Sequence, residues 1–243
     1  MARQRPRLRR RWLAAFIAAA IAVTAVITVS GLRADVQQTT VARADTAGSE
    51  VAVGPLVAFY GDSYTKGSAA SSPAARWSSL VAQAEGWTEY NAGYPGLGFV
   101  RKRDKVGDVT GDVIAQHPEV LIVALGINDN FEWTGNEQAI QEAILPEFQR
   151  LRDGLPGTRI IVVEPWWYTA ERPASVDQII GWVHDAADTI GADYISGASH
   201  WLDEDPATWI SADGLHPSDA GYAHLAQRML EELDALTPAL PGR

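Results

Sequence analysis

A doubly wound α/β domain, in which helices cover both faces of a parallel sheet, is the fold this chain predicts, on three observations. Short apolar runs of strand length alternate with longer amphipathic segments, as in successive strand-helix-strand units. With 243 residues and 47% apolar content, the chain can bury one substantial core. Its Gly-, Asn- and Asp-containing motifs follow directly on the strand-like runs, and active sites in such sheets lie beyond the carboxyl ends of the strands.

Taken in order, Leu56 to Tyr60 reads as the first strand, Thr88 to Asn91 as the second, Val120 to Leu125 as the third and Arg159 to Glu164 as the fourth. Asp193 to Ile195 is a short fifth. Between them, Ala74 to Glu85, Val106 to His117, Glu137 to Leu151 and Ser175 to Ile190 have the length and apolar spacing of helices. A last helix runs from Pro217 to Leu236. The domain so defined occupies residues 55–238 and follows an extension of different character.

In that extension Arg3, Arg5, Arg7, Arg9, Arg10 and Arg11 precede a nearly uninterrupted apolar run from Trp12 to Val29, and no acid appears before Asp35. Arginines ahead of an apolar segment are the arrangement of a signal peptide or a signal anchor, with the basic end held in the cytoplasm. The run has 18 residues, and at about 1.5 Å each they reach roughly 27 Å, enough to cross a hydrocarbon core. Ala42-Arg43-Ala44 has the small-x-small form of a cleavage site. Residues 1–32 are therefore expected to direct export as a signal peptide or anchor. Residues 33–54, rich in Thr, Ala, Val and Gln, read as an extracellular tether.

Charge changes sign across the tether. Residues 1–44 hold 8 Arg and 1 Asp, whereas residues 45–243 carry 12 Lys and Arg against 29 Asp and Glu, a net charge of −17. So acidic a domain has no electrostatic footprint for nucleic acid, and contact with a membrane is expected only through the N-terminal segment. With no cysteine in the chain, disulfides, Cys-ligated zinc and a thiol nucleophile are all excluded.

Three separated stretches together contain what acyl transfer needs: Gly61-Asp62-Ser63, Gly126-Ile127-Asn128-Asp129 and Asp213-Gly214-Leu215-His216-Pro217. A serine hydroxyl is a poor nucleophile at neutral pH and requires an adjacent base. An imidazole whose other nitrogen is held by a carboxylate serves that purpose. Asp213 and His216 are three apart in a Gly-containing turn, a spacing that places both side chains on one side, with Pro217 expected to start the helix that anchors them. Of the other histidines, His117 precedes Pro118, His184 and His224 fall in helical segments, and His200 sits in a loop beside Trp201. Only His216 has a carboxylate in a tight local partnership. Donors for the oxyanion are expected from the Asn128 amide and from N–H groups of the loop Asn91 to Gly96. Each motif alone is also an ordinary cap or turn; their combination is what specifies chemistry.

In order and content these blocks resemble the SGNH hydrolases, also called GDSL-type esterases and lipases. Gly61-Asp62-Ser63 with Gly67 forms the first block, Asn91-x-Gly93-x-x-Gly96 the second, Gly126-x-Asn128-Asp129 the third and Asp213-x-x-His216-Pro217 the last. The resemblance runs from about Leu56 to Leu236. It implies a three-layer α/β/α, flavodoxin-like fold with a parallel sheet of about five strands, and ester or thioester hydrolysis through an acyl-serine without metal or cofactor. By position, Ser63 is the nucleophile, His216 the base and Asp213 its partner. The Ser63 and Gly96 N–H groups and the Asn128 amide form the oxyanion hole. Asp62, Gly93 and Asp129 are supporting residues, Gly93 giving its turn the right shape. No Gly-x-Ser-x-Gly elbow surrounds Ser63, which argues against an α/β-hydrolase.

For the substrate, Trp133, Trp166 and Trp167 are expected on the rim, to stack on a sugar, line an acyl pocket or pack a lid. Lys66, Arg101, Lys102 and Arg103 read as a solvated basic patch. Short acyl or acetyl esters, on carbohydrate for instance, fit a rim without a long lid insertion. Three alternatives remain open: a cell-envelope O-acyltransferase using the same triad, a carbohydrate-binding domain with an idle triad, and a metallohydrolase using Asp62, Asp129, Asp213 and His216.

Overall fold

The structure, a computed structural model, describes residues 54–241. The export segment expected in residues 1–32 and all but the last residue of the tether lie outside them. Among the described residues, no helix is long and apolar enough to cross a membrane.

Strand β1 (Leu56–Gly61) leads into a one-turn helix α1 (Ser63–Lys66), a 3-10 turn (Pro73–Ala75) and helix α2 (Trp77–Glu85). Strand β2 (Thr88–Gly93), helix α3 (Val109–Ala115) and strand β3 (Val120–Ala124) follow. After a second 3-10 turn (Ile127–Glu132) come α4 (Glu137–Gly154), β4 (Arg159–Val163), α5 (Ala174–Thr189) and β5 (Asp193–Ile195). The chain closes through a short helix α6 (Pro206–Trp209) and the long helix α7 (Asp219–Ala235). The five strands are all parallel, in the order β2-β1-β3-β4-β5, so each crossover must carry a helix over one face or the other.

Side-chain alternation along the central strands separates two cores. Val57 and Phe59 of β1, with Ile122 of β3 and Ile161 and Val163 of β4, face Trp77 and Val81 of α2 and Tyr222, Leu225 and Met229 of α7. The intervening Ala58, Tyr60, Leu121, Val123 and Val162 face Val113 of α3, Ile140, Ile144 and Phe148 of α4, and Val183 of α5. This is the three-layer arrangement, and it explains why β1, β3 and β4 are apolar at successive positions: both faces of the sheet are covered. Burial of this kind is worth a few kcal/mol per side chain; truncating Phe59 to Ala would cost about 3–5 kcal/mol.

Three element starts depart from expectation. Helix α3 begins at Val109 and not at Val106, Asp108 being its N-cap. The helix expected from Ala74 is interrupted at Arg76, which is extended (φ −77°, ψ 150°), so that a proline-led 3-10 turn precedes α2. Pro217 does not start α7; it pairs with Ile210 in an isolated antiparallel bridge. Ser218 is the N-cap instead, its hydroxyl accepting from the Gly221 N–H at 3.1 Å, which satisfies one of the amides a helix start leaves unpaired.

The register of the sheet sets the level of the site. Gly61 at the end of β1 is opposite Gly93 on one side and Ala124 on the other. Three of the four motif-bearing loops therefore leave the sheet side by side.

Candidate active site

Ser63 is the first residue of α1, directly beyond β1, and is 7% exposed. Asp62 caps the helix: its Oδ1 accepts the Tyr64 N–H at 2.8 Å. Its Oδ2 accepts from Asn128 Nδ2 at 3.1 Å. Burial pushes the Asp62 carboxyl up to about 7, against the lowering effect of its hydrogen bonds from Tyr64 and Asn128 and with a smaller push from Asp129. Asn91 ties β2 to the same helix, donating from Nδ2 to the Thr65 carbonyl at 2.7 Å and to Ser78 Oγ at 2.9 Å.

Gly93 has a role different from the expected one. It lacks the positive φ of a turn glycine; instead, a Cβ there would lie 2.2 Å from the Lys66 amide nitrogen. The missing side chain lets α1 lie directly on the end of β2. Gly96 is the residue of the second block with left-handed backbone (φ 81°).

The third block opens the 3-10 turn after β3. Asn128 is buried, and its Nδ2 donates to Leu97 O at 3.1 Å as well as to Asp62. Asp129 serves the backbone of the loop that follows the second block. Its Oδ2 accepts the Phe99 N–H at 2.6 Å, and its Oδ1 accepts those of Val100 and Arg101 at 2.9 and 3.2 Å. Burial raises its carboxyl despite those three donors.

The fourth block brings together the two residues expected to form an acid-base pair. His216 Nδ1 lies 2.7 Å from Asp213 Oδ2, while Asp213 Oδ1 accepts the Leu215 and His216 N–H groups at 2.8 and 2.9 Å. Partial desolvation works against the anion, but the hydrogen bonds from the His216 N–H, its imidazole and the Leu215 N–H prevail. They hold the Asp213 carboxyl well below the usual carboxylate range. With Asp213 ionised, its bond fixes Nδ1 as the protonated nitrogen and leaves Nε2 able to accept a proton.

Tyr64, next to Ser63, joins the two halves of the site. Its hydroxyl donates to Leu215 O at 2.6 Å, and its ring centroid is 6.0 Å from that of His216. Tyr222 of α7 adds a second tie, donating to Ser68 O at 2.8 Å. The sequence reading missed both tyrosines. Tyr64 had one available signal, adjacency to the serine.

Two of the expected rim tryptophans are core residues. Trp166 is 4% exposed and packs on Tyr64 (5.9 Å between centroids), on Trp77 (5.0 Å) and on Trp201 (6.4 Å). Trp167 is 3% exposed, its Nε1 donating to Thr169 Oγ1 and Glu171 O. Trp133 is half-buried and stacks on Trp182 at 5.6 Å, on the helix layer of α4 and α5. The aromatic that does face solvent is Phe131, 44% exposed and stacked on Trp167 at 6.1 Å. Its ring also lies 6.4 Å from that of Tyr168.

Arg101, Lys102 and Arg103, in the loop that follows the second block, are not a solvated patch either. Arg101 Nη1 donates to Gly96 O and Asn128 Oδ1, Lys102 Nζ to Pro95 O, and Arg103 to Gly98 O and the Tyr60 hydroxyl. A shared metal position for Asp62, Asp129, Asp213 and His216 has no counterpart in the geometry. Asp129 is committed to backbone amides, and no group of three or more His, Asp or Glu among the described residues is arranged to hold an ion.

The profile of the GDSL-like lipase/acylhydrolase family matches residues 59–224. The chain belongs to that family. The match begins in β1 and ends in α7, so it spans all four motif blocks. This GDSL-family ester hydrolase is 31% identical over 189 residues to a GDSL lipase of Mycobacterium tuberculosis, covering 71% of this chain and 79% of that one. Among solved structures it resembles an acetylxylan esterase of Geobacillus stearothermophilus at 21% identity and a TM-score of 0.57, over 76% of this chain and 96% of the other. It also resembles a two-domain esterase active on acetylated mannans at 20% identity and a TM-score of 0.58, over 74% of this chain and 48% of that one. At such identities these two structures establish a common fold.

Proposed function

We propose that this hydrolase is an exported serine esterase that cleaves short acyl esters, acetyl groups on carbohydrate among them, through an acyl-serine intermediate. The observation that carries the reading is the Asp213–His216 pair at 2.7 Å, held by the hydroxyl of the residue adjoining Ser63. In this reading Nε2 of His216 takes the Ser63 proton as Oγ attacks the ester carbonyl carbon, and Asp213 stabilises the imidazolium. The developing oxyanion is met by the Ser63 and Gly96 N–H groups and Asn128 Nδ2; as a full charge it competes well with the neutral Leu97 carbonyl for one amide hydrogen. His216 then returns the proton to the leaving alkoxide, and water repeats the sequence on the acyl-serine.

Export is supported by the six arginines ahead of the 18-residue apolar run. The preference for small acyl groups is supported by the kinship in fold to esterases active on acetylated polysaccharide.

The test is Ser63→Ala in the domain from about Val51 onward. Hydrolysis of p-nitrophenyl acetate should fall to near background with Tm unchanged, and labelling by a serine-directed phosphonate should vanish. Persistent labelling of the variant would refute Ser63 as the nucleophile. Running acetylated xylan and p-nitrophenyl esters of increasing chain length in parallel tests the substrate class; turnover that rises steadily with chain length would refute the short-acyl preference. Transfer of the acyl group to an added oligosaccharide, in place of release to water, would reassign the enzyme as an acyltransferase.

A further inference from the structure

We propose that Arg101 is a positioning residue of the oxyanion hole, its guanidinium bridging the Gly96 carbonyl oxygen and the Asn128 side-chain oxygen and so locking two of the three donors in one geometry. The inference rests on the esterase reading above and adds a residue that none of the four motif blocks contains.

The bridge is direct. Arg101 Nη1 lies 3.1 Å from Gly96 O and 3.2 Å from Asn128 Oδ1, while Nε on the other edge of the plane donates to Glu132 Oε1 at 3.1 Å. Gly96 permits the approach: a Cβ there would sit 2.8 Å from Nη1 and 2.6 Å from Lys102 Nζ. A rigid, planar cation suits this work better than lysine, whose single ammonium lacks a fixed fork.

Two consequences follow for the donors. The Asn128 amide has two orientations related by a flip, and a cation on Oδ1 selects the one that turns Nδ2 toward Asp62 and Leu97. A donor on the oxygen also polarises the amide, so that its N–H groups become stronger donors. At Gly96, the guanidinium holds the carbonyl of the same residue whose N–H meets the oxyanion, which fixes that residue's orientation without occupying its donor.

The Arg101 backbone is anchored independently. Asp129 accepts the N–H groups of Phe99, Val100 and Arg101, and Gly98 N donates to Arg101 O at 3.0 Å. Removing the guanidinium should therefore loosen the donors while the loop stays in place.

The experiment compares Arg101→Gln, Arg101→Lys and Glu132→Gln with the parent on p-nitrophenyl acetate, a neutral ester that offers no anion for Arg101 to bind. It reads kcat, KM, Tm and the affinity of phenylboronic acid, which forms a tetrahedral adduct with an active serine. Deleting an oxyanion donor costs ~100- to 1000-fold; loosening two of them should lower kcat by about 10-fold. KM should be nearly unchanged and boronate affinity should fall in step with kcat. Arg101→Lys should be intermediate, and Glu132→Gln should show a smaller loss of the same kind. Unchanged kcat in folded Arg101→Gln would overturn the proposal, as would a loss confined to KM. If Arg101→Gln does not fold, unchanged kcat in both other variants overturns it. Failure of the esterase reading is distinguishable, because Ser63 of the parent would then take no phosphonate.

Discussion

Replacing Gly93 by alanine would place a methyl carbon 2.2 Å from the Lys66 amide nitrogen and 2.7 Å from both Lys66 Cα and the Thr65 carbonyl carbon. Ordinary contact begins at 3.4 Å, so the shortfall is about 1.2 Å (3.4 − 2.2). All three obstructing atoms belong to the backbone of α1, which no rotamer change can clear. Either α1 or the end of β2 must shift by about 1 Å, and α1 carries Ser63. Overpacking of this size costs about 1–3 kcal/mol, or roughly 2 to 12 °C in Tm for a domain this large. Displacing a nucleophile by 1 Å costs about 100-fold in rate. The assay is kcat/KM on p-nitrophenyl acetate together with thermal unfolding. Gly181→Ala serves as control: nothing lies within 4 Å of the position its methyl would take, and alanine inside α5 should be stabilising by about 0.5–1 kcal/mol. Parent-like kcat/KM and Tm in Gly93→Ala would refute the idea that close contact between β2 and α1 positions the serine.

Further expectations concern the tie to the base loop and the buried carboxyl. Tyr64→Phe removes the 2.6 Å bond to Leu215 O; at about 0.5–1.5 kcal/mol per hydrogen bond, kcat should fall a few-fold, and an unchanged rate would show that the loop holds His216 by itself. Asp62 has a folded-state pKa of about 7 against an ordinary 3.8, so the folded protein retains a proton that the unfolded chain gives up. Its contribution to stability is complete below about pH 4 and is lost as pH rises through 7, amounting to as much as ~4 kcal/mol across that window. Asp129 is shifted in the same direction. In Asp62→Asn this fall should shrink; denaturant unfolding at pH 5 and pH 8 measures it, and the same difference in parent and variant would refute it.

Much of this arrangement was legible in the chain because strand ends and glycine-bearing motifs coincide. β1, β3 and β4 are buried on both faces, which makes them apolar at nearly every position, Arg159 at the start of β4 being the exception, and their limits lie within a residue or so of those expected. The Asp213–His216 pair was legible because both residues sit in one loop, where spacing alone decides whether the side chains meet. Helix α1 was not, since four residues have no periodicity to read. Trp166 and Trp167 were misplaced because a loop sequence does not say whether its aromatics turn toward solvent or toward Tyr64 and Phe131. Arg101 was misread for a similar reason: its partners lie 5 and 27 positions away, and only folding brings them to one guanidinium.

The tie between Tyr64 and Leu215 also orders events in time. The two residues are 151 positions apart, so at about 5–20 residues per second the ribosome needs roughly 8 to 30 s to pass from one to the other. On the mechanism proposed above, the growing chain contains its nucleophile without its base throughout that interval. Ser63 would remain an ordinary alcohol at a helix start until the last loop accepts the Tyr64 hydroxyl at Leu215 O. On that mechanism, arrival of the Leu215 loop is the step that gives Ser63 its base.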